Sequence, residues 1–155
     1  MRNARPRGFT LIELLVVLVV IGIVLGMVSL NALPNQQQSL RQEAQRIALL
    51  LQTARDEAIV RNRLVAFEAG PDSYHFLVRN DKQWDPVTND DLLREREFKN
   101  SPVSLLLDPA PAVPGQELRI TFGREPVDKP FALTLASGSS SVVIRADGIG
   151  HFTVD

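Results

Sequence analysis

Residues 7–30 read RGFTLIELLVVLVVIGIVLGMVSL, and this stretch decides the organisation of the whole chain. The twenty residues from Leu11 to Leu30 would form a helix about 30 Å long, which matches the hydrocarbon core of a bilayer. Glu13 is the only ionisable residue in that segment, and inserting a carboxylate into a membrane costs about 3 kcal/mol. The sequence therefore predicts a transmembrane helix over residues 9–33 and marks Glu13 as a candidate functional residue.

The residues before this segment are polar and basic. Arg2, Arg5 and Arg7 precede the apolar run, and after it no charged residue occurs until Arg41. This asymmetry predicts that the N-terminus faces the cytoplasm and that the chain beyond about residue 34 lies across the membrane. We expect residues 1–8 to be a leader cleaved after Gly8, so that the mature chain begins inside the membrane.

A secretory signal peptide is the alternative interpretation of the same residues. Such a signal has an apolar core of about 7–15 residues followed by a cleavage site of small residues. Here the apolar run is longer, and the sequence SLNALPN at 29–35 offers a poor cleavage site. Under this alternative the mature chain would be a free domain without Glu13.

The composition of the rest of the chain narrows the possible functions. About 120 residues follow the apolar segment, enough for one domain with one core. The formal net charge is −1, which gives no electrostatic reason to expect binding to nucleic acid or anionic lipid. The chain has no cysteine, which excludes disulfides, zinc–thiolate sites and cysteine nucleophiles.

A second helix is predicted over residues 39–63, after Pro34, which would interrupt or kink the preceding helix. Apolar residues recur there at spacings of three and four, so that one face of the helix packs on the downstream domain. That stripe consists of Leu40, Ala44, Ile47, Leu51, Ala54 and Ala58. The opposite, polar face carries Arg41, Glu43, Arg46, Arg55, Asp56 and Arg61.

From Leu64 the hydrophobic period changes from 3.6 to 2, which indicates β-strands separated by turns rich in Gly and Pro. The predicted strands are 64–69, 74–79, 94–98, 103–107, 117–122, 131–135, 142–146 and 151–154. A polar loop is expected over residues 80–91. The sequence thus predicts an α+β chain in which the helix of residues 34–63 packs on an antiparallel β-sheet or sandwich domain at 64–155.

The segment Gly8-Phe9-Thr10-Leu11-Ile12-Glu13 resembles the processing site of type IV pilins and of the pseudopilins of type II secretion. The resemblance implies that a prepilin peptidase cleaves between Gly8 and Phe9 and that Phe9 is N-methylated. It also implies that Glu13 meets the terminal amine of a neighbouring subunit in a filament. An amine and a carboxylate neutralise each other in an apolar bundle, whereas either alone would be stranded.

Residues 41–69, RQEAQRIALLLQTARDEAIVRNRLVAFEA, resemble the helix and first strand of H-type minor pseudopilins of type II secretion. The later segments ITFGREPV (120–127) and IRADGIGHF (144–152) are similar to the same family. The resemblance implies a pilin-like fold, an inner-membrane anchor and a periplasmic domain. It implies a structural subunit near the tip of a pseudopilus that drives protein export, with other minor and major pseudopilins as partners.

The position within such a filament can be narrowed by comparison with its other subunits. Major pseudopilins carry a calcium loop, which this sequence lacks, and the large tip subunit is expected to lack the glutamate at Glu13. The resemblance thus implies a place below the tip, with no metal or other cofactor. The alternatives are a minor pilin of a type IV pilus and a DNA-uptake receptor. The chain after Arg145 has no Lys or Arg, which disfavours DNA binding.

Other residues have competing interpretations. Gly22 and Gly26 form a small-xxx-small pair that would let helices approach closely, or they are incidental glycines of a membrane helix. Ser139 to Ser141 with Asp147 and His151 suggest a hydrolase, but the required G-x-S-x-G context is missing, so we expect no enzyme and no small-molecule substrate.

The remaining candidates lie outside any recognised motif. The histidine on the second predicted strand, His75, and His151 are expected to be packing or surface residues. The acidic cluster Asp81, Asp85, Asp90 and Asp91 lacks the spacing of a calcium loop and is expected to be solvated. Trp84, in the polar loop, either tucks inward or contacts a partner protein.

Overall fold

The computed structural model describes residues 10–31, 36–111 and 118–155. The chain divides into two compact units, of which the second runs from Asn35 to Asp155. The first unit contains one helix, α1 (Leu11–Asn31), whose side chains are described as far as Val24. Within the part of the chain that the structure describes, no helix is both long and apolar enough to cross a membrane. The predicted interruption at Pro34 lies outside the described residues.

The second unit begins with helix α2 (Gln36–Val60), which supplies one side of the hydrophobic core. All six residues of the predicted apolar stripe are buried, which confirms the packing face. The helix ends three residues earlier than predicted because Asn62 adopts a left-handed conformation. The amide of Asn62 then bonds to the carbonyl of Ile59 and the amide of Arg63 to that of Ala58, a Schellman C-cap.

In the described part of the chain, nine antiparallel strands follow α2. Their bounds are β1 (Val65–Ala69), β2 (Ser73–Asn80), β3 (Gln83–Pro86), β4 (Arg96–Glu97), β5 (Ser104–Asp108), β6 (Leu118–Phe122), β7 (Phe131–Ser137), β8 (Ser140–Ala146) and β9 (Phe152–Val154). They form two sheets. The first has the order β3-β2-β1-β6 with β4 paired to β2, and the second has the order β5-β7-β8-β9.

Helix α2 contacts strands of both sheets, including β1 of the first and β7, β8 and β9 of the second. The two sheets approach each other through β5 and β6, which are edge strands. The sheets thus lie side by side against the helix, and the core fills the space between. Phe67, Tyr74 and Phe76 from the first sheet and Leu133 and Ile144 from the second are completely buried there. The α+β prediction, with a helix packed on antiparallel sheets, is confirmed.

The region predicted as a polar loop, residues 80–91, contains a strand, and the prediction was wrong there. Residues Gln83 to Pro86 pair with β2 as β3, and the turn between them has Asp81 with a φ of 49°. The polar composition hid this strand because its side chains are mostly exposed at the edge of the sheet. The predicted strand at 94–98 is correspondingly shorter, with only Arg96 and Glu97 paired.

Candidate functional site

The described side chains of α1 form a continuous apolar surface. All residues from Leu11 to Val24 are exposed, and the large apolar ones range from 46% exposure at Val17 to 84% at Leu11. Leaving so much contiguous apolar surface in water is unfavourable. This helix therefore presents a surface suited to an apolar environment or to other helices.

Glu13 lies in the first turn of α1, and its side chain is exposed. The amides of Glu13 and Leu14 both bond to the carbonyl oxygen of Thr10, at 3.1 and 3.3 Å. A carboxylate in the first turn is stabilised by the positive end of the helix dipole. The carboxylate is thus accessible to a positively charged group approaching the start of the helix.

The other predicted residues of the N-terminal segment are only partly described. A Cβ atom added at Gly22 would meet no atom within 4 Å, so the surface above this glycine is open. Gly26 lies one helical turn further along α1, on the same side of the helix. Gly8 and Phe9 lie outside the described residues, and their proposed cleavage stays a prediction.

Trp84 lies on β3, where the predicted alternatives were burial or partner contact. Its indole is half-buried. The guanidinium carbon of Arg79 is 5.3 Å from the ring centroid, and that of Arg119 is 5.4 Å away. Both distances are within the range of cation–π interactions. The ring is thus held between side chains of its own sheet and remains partly accessible.

A buried carboxylate lies beside this tryptophan and was missed by the sequence analysis. Glu68 on β1 is 8% exposed, and its Oε1 accepts bonds from Nε and Nη2 of Arg119 at 3.1 and 2.8 Å. Its Oε2 lies 3.3 Å from Nε2 of His75. The register places these three residues in one row across β6, β1 and β2. Only the hairpin register, which opposes Glu68 and His75, could have indicated the pairing.

A second buried carboxylate corrects the prediction for the polar face of α2. Glu43 is 4% exposed, with Oε2 at 2.7 Å from Nη2 of Arg46. The hydroxyl of Tyr74 donates to its Oε1 at 3.2 Å. Burial, together with the neighbouring carboxylate of Glu43, raises the pKa of Tyr74 to about 12. The carboxylate and the phenol are thus both hydrogen-bonded inside the core.

Of the residues that suggested a hydrolase, Asp147 and His151 lie together, but the serines lie at the far end of β8. Ser140 begins β8 and Asp147 follows its end, so the strand separates them by about 20 Å. Asp147 instead organises the turn between β8 and β9 by accepting bonds from the amides of Ile149, Gly150 and His151. Its Oδ2 also lies 2.7 Å from Nδ1 of His151. The Ile149 amide and the bonds from His151 lower the pKa of Asp147 to about 2.

The predicted acidic cluster is divided among separate local roles. The side chain of Asp90 accepts bonds from the amides of Leu92 and Leu93, and Asp85 accepts one from Asn80. In the described part of the chain, no group of three or more acidic, histidine or cysteine residues is arranged to hold a metal ion. The Asp90 bonds stabilise a turn, which is a structural role.

Comparison with known families gives two matches that together cover most of the chain. Residues 3–29 match the prokaryotic N-terminal methylation motif, and residues 43–150 match the family described as type II transport protein GspH. Type II secretion system protein H of Pseudomonas aeruginosa is 32% identical over 138 residues, 87% of this chain and 78% of that protein. The protein of the same name from Aeromonas hydrophila is 31% identical over 104 residues, 65% of this chain and 57% of that protein.

Solved structures show the same fold at low sequence identity. The minor pseudopilin EpsH of the type 2 secretion system of Vibrio cholerae aligns with a TM-score of 0.57 and 17% identity, covering 75% of this chain and 95% of that one. The type IV minor pilin FimU of Pseudomonas aeruginosa aligns with a TM-score of 0.54 and 16% identity, covering 78% and 89%. The predicted pilin-like fold is thus confirmed.

Proposed function

This chain belongs to the GspH family of type II transport proteins and is a minor pseudopilin of the type II secretion system, and from that premise we propose how its residues serve assembly. The match over residues 43–150 carries the family assignment. We propose that the subunit assembles near the tip of a periplasmic pseudopilus and supports protein export across the outer membrane. Its partners are then other minor and major pseudopilins.

The N-terminal segment is proposed to be processed before assembly. The match of residues 3–29 to an N-terminal methylation motif supports cleavage between Gly8 and Phe9 by a prepilin peptidase, followed by N-methylation of Phe9. Before assembly the segment 9–33 anchors the subunit in the inner membrane, with the N-terminus cytoplasmic and the C-terminal domain periplasmic. The three arginines before the apolar run support that orientation.

Glu13 is proposed to guide each subunit into the filament. After cleavage the amine of Phe9 is a positive charge in apolar surroundings, and a carboxylate from a neighbouring helix would neutralise it. The exposed position of Glu13 in the first turn of α1 is consistent with that contact. Gly22 and Gly26, more than two turns further along α1, would let neighbouring helices approach closely there.

A structural role accounts for the chain without enzymatic chemistry. The family consists of structural subunits, and Ser140 and Asp147 lie at opposite ends of β8. A minor pilin of a type IV pilus is the second candidate, and the likeness to FimU concerns the fold that both kinds of subunit share. The family match supports secretion over that candidate.

Deletion of the gene in the native host tests the proposed function. We expect secreted hydrolases to accumulate in the periplasm while pilus-dependent motility stays normal, and the full-length gene on a plasmid should restore secretion. Normal secretion together with lost motility or lost DNA uptake would instead make this chain a pilin of a type IV pilus.

A further inference from the structure

The outer face of the first sheet, which points away from α2, carries an unusual arrangement of cationic and aromatic side chains. It consists of Trp84, Arg79, Arg119, His75 and Glu68, and we call it the Trp84 patch. Because Arg79 lies on β2 and Arg119 on β6, with β1 between them, an indole near both must extend across the face of the sheet. Ala66 and Leu77, on the same outer face, are only 0% and 7% exposed, so the larger side chains of this face cover them.

The tryptophan is therefore a fixed platform. Arg79 is opposite Trp84 in the β2–β3 register, and Arg119 is held by two bonds to the buried Glu68. A side chain that is already fixed loses little conformational entropy when it binds a partner. Tryptophan and arginine are also among the residue types that contribute most to the binding energy of protein interfaces.

The charges of the patch favour a negatively charged partner. Glu68 is neutralised by Arg119 and lies next to His75, whereas Nε of Arg79 donates only to the carbonyl oxygen of Asp81, at 3.3 Å. Arg79 is partly exposed, and among the described residues its Nη atoms have neither a hydrogen-bond partner nor a carboxylate within ion-pair distance. Two guanidinium groups against one carboxylate leave the patch with a net charge of about +1.

A protein carboxylate fits these features better than a nucleic acid does. Binding a nucleic acid strand requires a series of cations that follow successive phosphates. The patch offers one arginine, Arg79, that is not already paired with a carboxylate, which suits a single carboxylate and not a series of phosphates. We propose that the Trp84 patch is a docking surface for an acidic segment of a partner protein, in which glutamate or aspartate side chains pair with Arg79 and the chain lies on the indole.

This docking surface is separate from the assembly role of α1 and does not depend on it. The patch belongs entirely to the unit Asn35–Asp155, whereas Phe9, Glu13 and the small-residue pair precede that unit. A binding test in solution therefore gives an answer whether or not Glu13 guides filament assembly. Failure of one idea leaves the other standing.

Trp84 is the only tryptophan of the chain, so its fluorescence reports on the patch directly. Full-length protein in detergent would be titrated with the capped peptide Glu-Gly-Glu-Gly-Glu, with the matched peptide Gln-Gly-Gln-Gly-Gln and with a deoxythymidine hexamer. We expect a saturable change with the glutamate peptide alone. Arg79→Gln should weaken binding of the glutamate peptide, raising the peptide concentration at the titration midpoint about fivefold, as expected for the loss of an exposed ion pair.

Arg124→Gln is the matched control, because Arg124 is exposed and lies outside the patch. Its midpoint should equal that of the unmodified protein, and Arg79→Lys should bind more tightly than Arg79→Gln. An equal response to the glutamine peptide, an unchanged midpoint in Arg79→Gln, or a stronger response to the oligonucleotide would each overturn the proposal.

Discussion

The hydroxyl of Tyr74 donates a hydrogen bond to Oε1 of Glu43, and this pair joins the first sheet to α2 within the core. Tyr74 is completely buried, and Glu43 is nearly so. The bond therefore links two residues 31 positions apart in the chain, in surroundings where an unpaired polar group is unfavourable. Arg46 provides the second partner of the carboxylate and lies at the edge of the core.

Tyr74→Phe should lower the free energy of unfolding by about 1–2 kcal/mol, because Glu43 would lose one of its two side-chain partners while staying buried. Urea denaturation of the full chain, followed by the fluorescence of Trp84, would measure this. Glu43→Gln in the Tyr74→Phe background completes a double-mutant cycle. Additive effects of the two substitutions would show that the pair contributes no coupling.

The same pair predicts how stability changes at alkaline pH. The pKa of Tyr74 is raised from 10.0 to about 12, so the folded protein holds the phenol proton more tightly than the unfolded chain does. The contribution of the protonated Tyr74 to the free energy of unfolding is complete below pH 10 and is lost as the pH rises towards 12. Tyr74 is the only tyrosine, so absorbance at the phenolate band follows it alone.

We expect phenolate absorbance to develop near pH 12 in the folded protein and near pH 10 in concentrated urea. Tyr74→Phe should unfold at alkaline pH without this additional loss of stability between pH 10 and 12. A native-state titration midpoint near 10 would contradict the burial of the hydroxyl against Glu43.

Asp147 predicts the opposite dependence at acid pH. Its pKa is lowered from 3.8 to about 2, first by the bond from the Ile149 amide and then by His151. A lowered pKa gives stabilisation that is present above pH 3.8 and is lost as the pH falls towards 2. Asp147→Asn should therefore lower the Tm at neutral pH, and the difference from the unmodified protein should shrink between pH 4 and 2. Asp108→Asn, on an exposed residue, is the control and should show a constant difference.

Gly148 should not tolerate a side chain. Its φ is +82°, and a Cβ atom there would collide with the backbone carbonyl of Asp128, whose own amide bonds to the Gly148 oxygen. Gly148→Ala is therefore expected to cost about 1–3 kcal/mol of unfolding free energy in backbone strain alone. Gly70→Ala is the matched control, because the added atom would meet nothing nearer than the Ser73 oxygen at 4.0 Å. Similar Tm values for the two variants would contradict the tight packing of the β8–β9 turn against Asp128.

The parts of the fold that follow from periodicity could be predicted from the sequence. Apolar residues from Leu40 to Ala58 recur at helical spacing, and core-facing residues in the β1–β2 hairpin recur at every second position. The strand containing Trp84 could not be predicted, because an edge strand with exposed polar side chains has the composition of a loop. The burial of Glu43 could not be predicted either, because its partner Tyr74 is distant in sequence and only the packing of the helix on the sheet brings the two residues together.

The proposed processing and assembly roles of Gly8, Phe9 and Glu13 come from the sequence alone, because they depend on a motif and on neighbouring subunits. The structure adds that the described side chains of α1 are all exposed and that Glu13 lies in the first helical turn. The proposed partner of that carboxylate is the terminal amine of another subunit, so the contact joins two chains. The contact therefore has to be tested in the assembled filament.

Glu13→Ala should leave cleavage after Gly8 intact and should strongly reduce incorporation into the pseudopilus. Removing the carboxylate leaves the neighbouring amine without a counter-charge in apolar surroundings, which penalises every correctly placed subunit. Processing would be followed by the mass shift of the mature chain, and incorporation by co-purification of the tagged subunit with sheared filaments. Glu13→Asp keeps the charge but shortens its reach, so we expect it to incorporate better than Glu13→Ala and less well than the unmodified chain. If Glu13→Ala entered filaments normally, the pairing role would be wrong, while the family assignment, which depends on residues 43–150, would be unaffected.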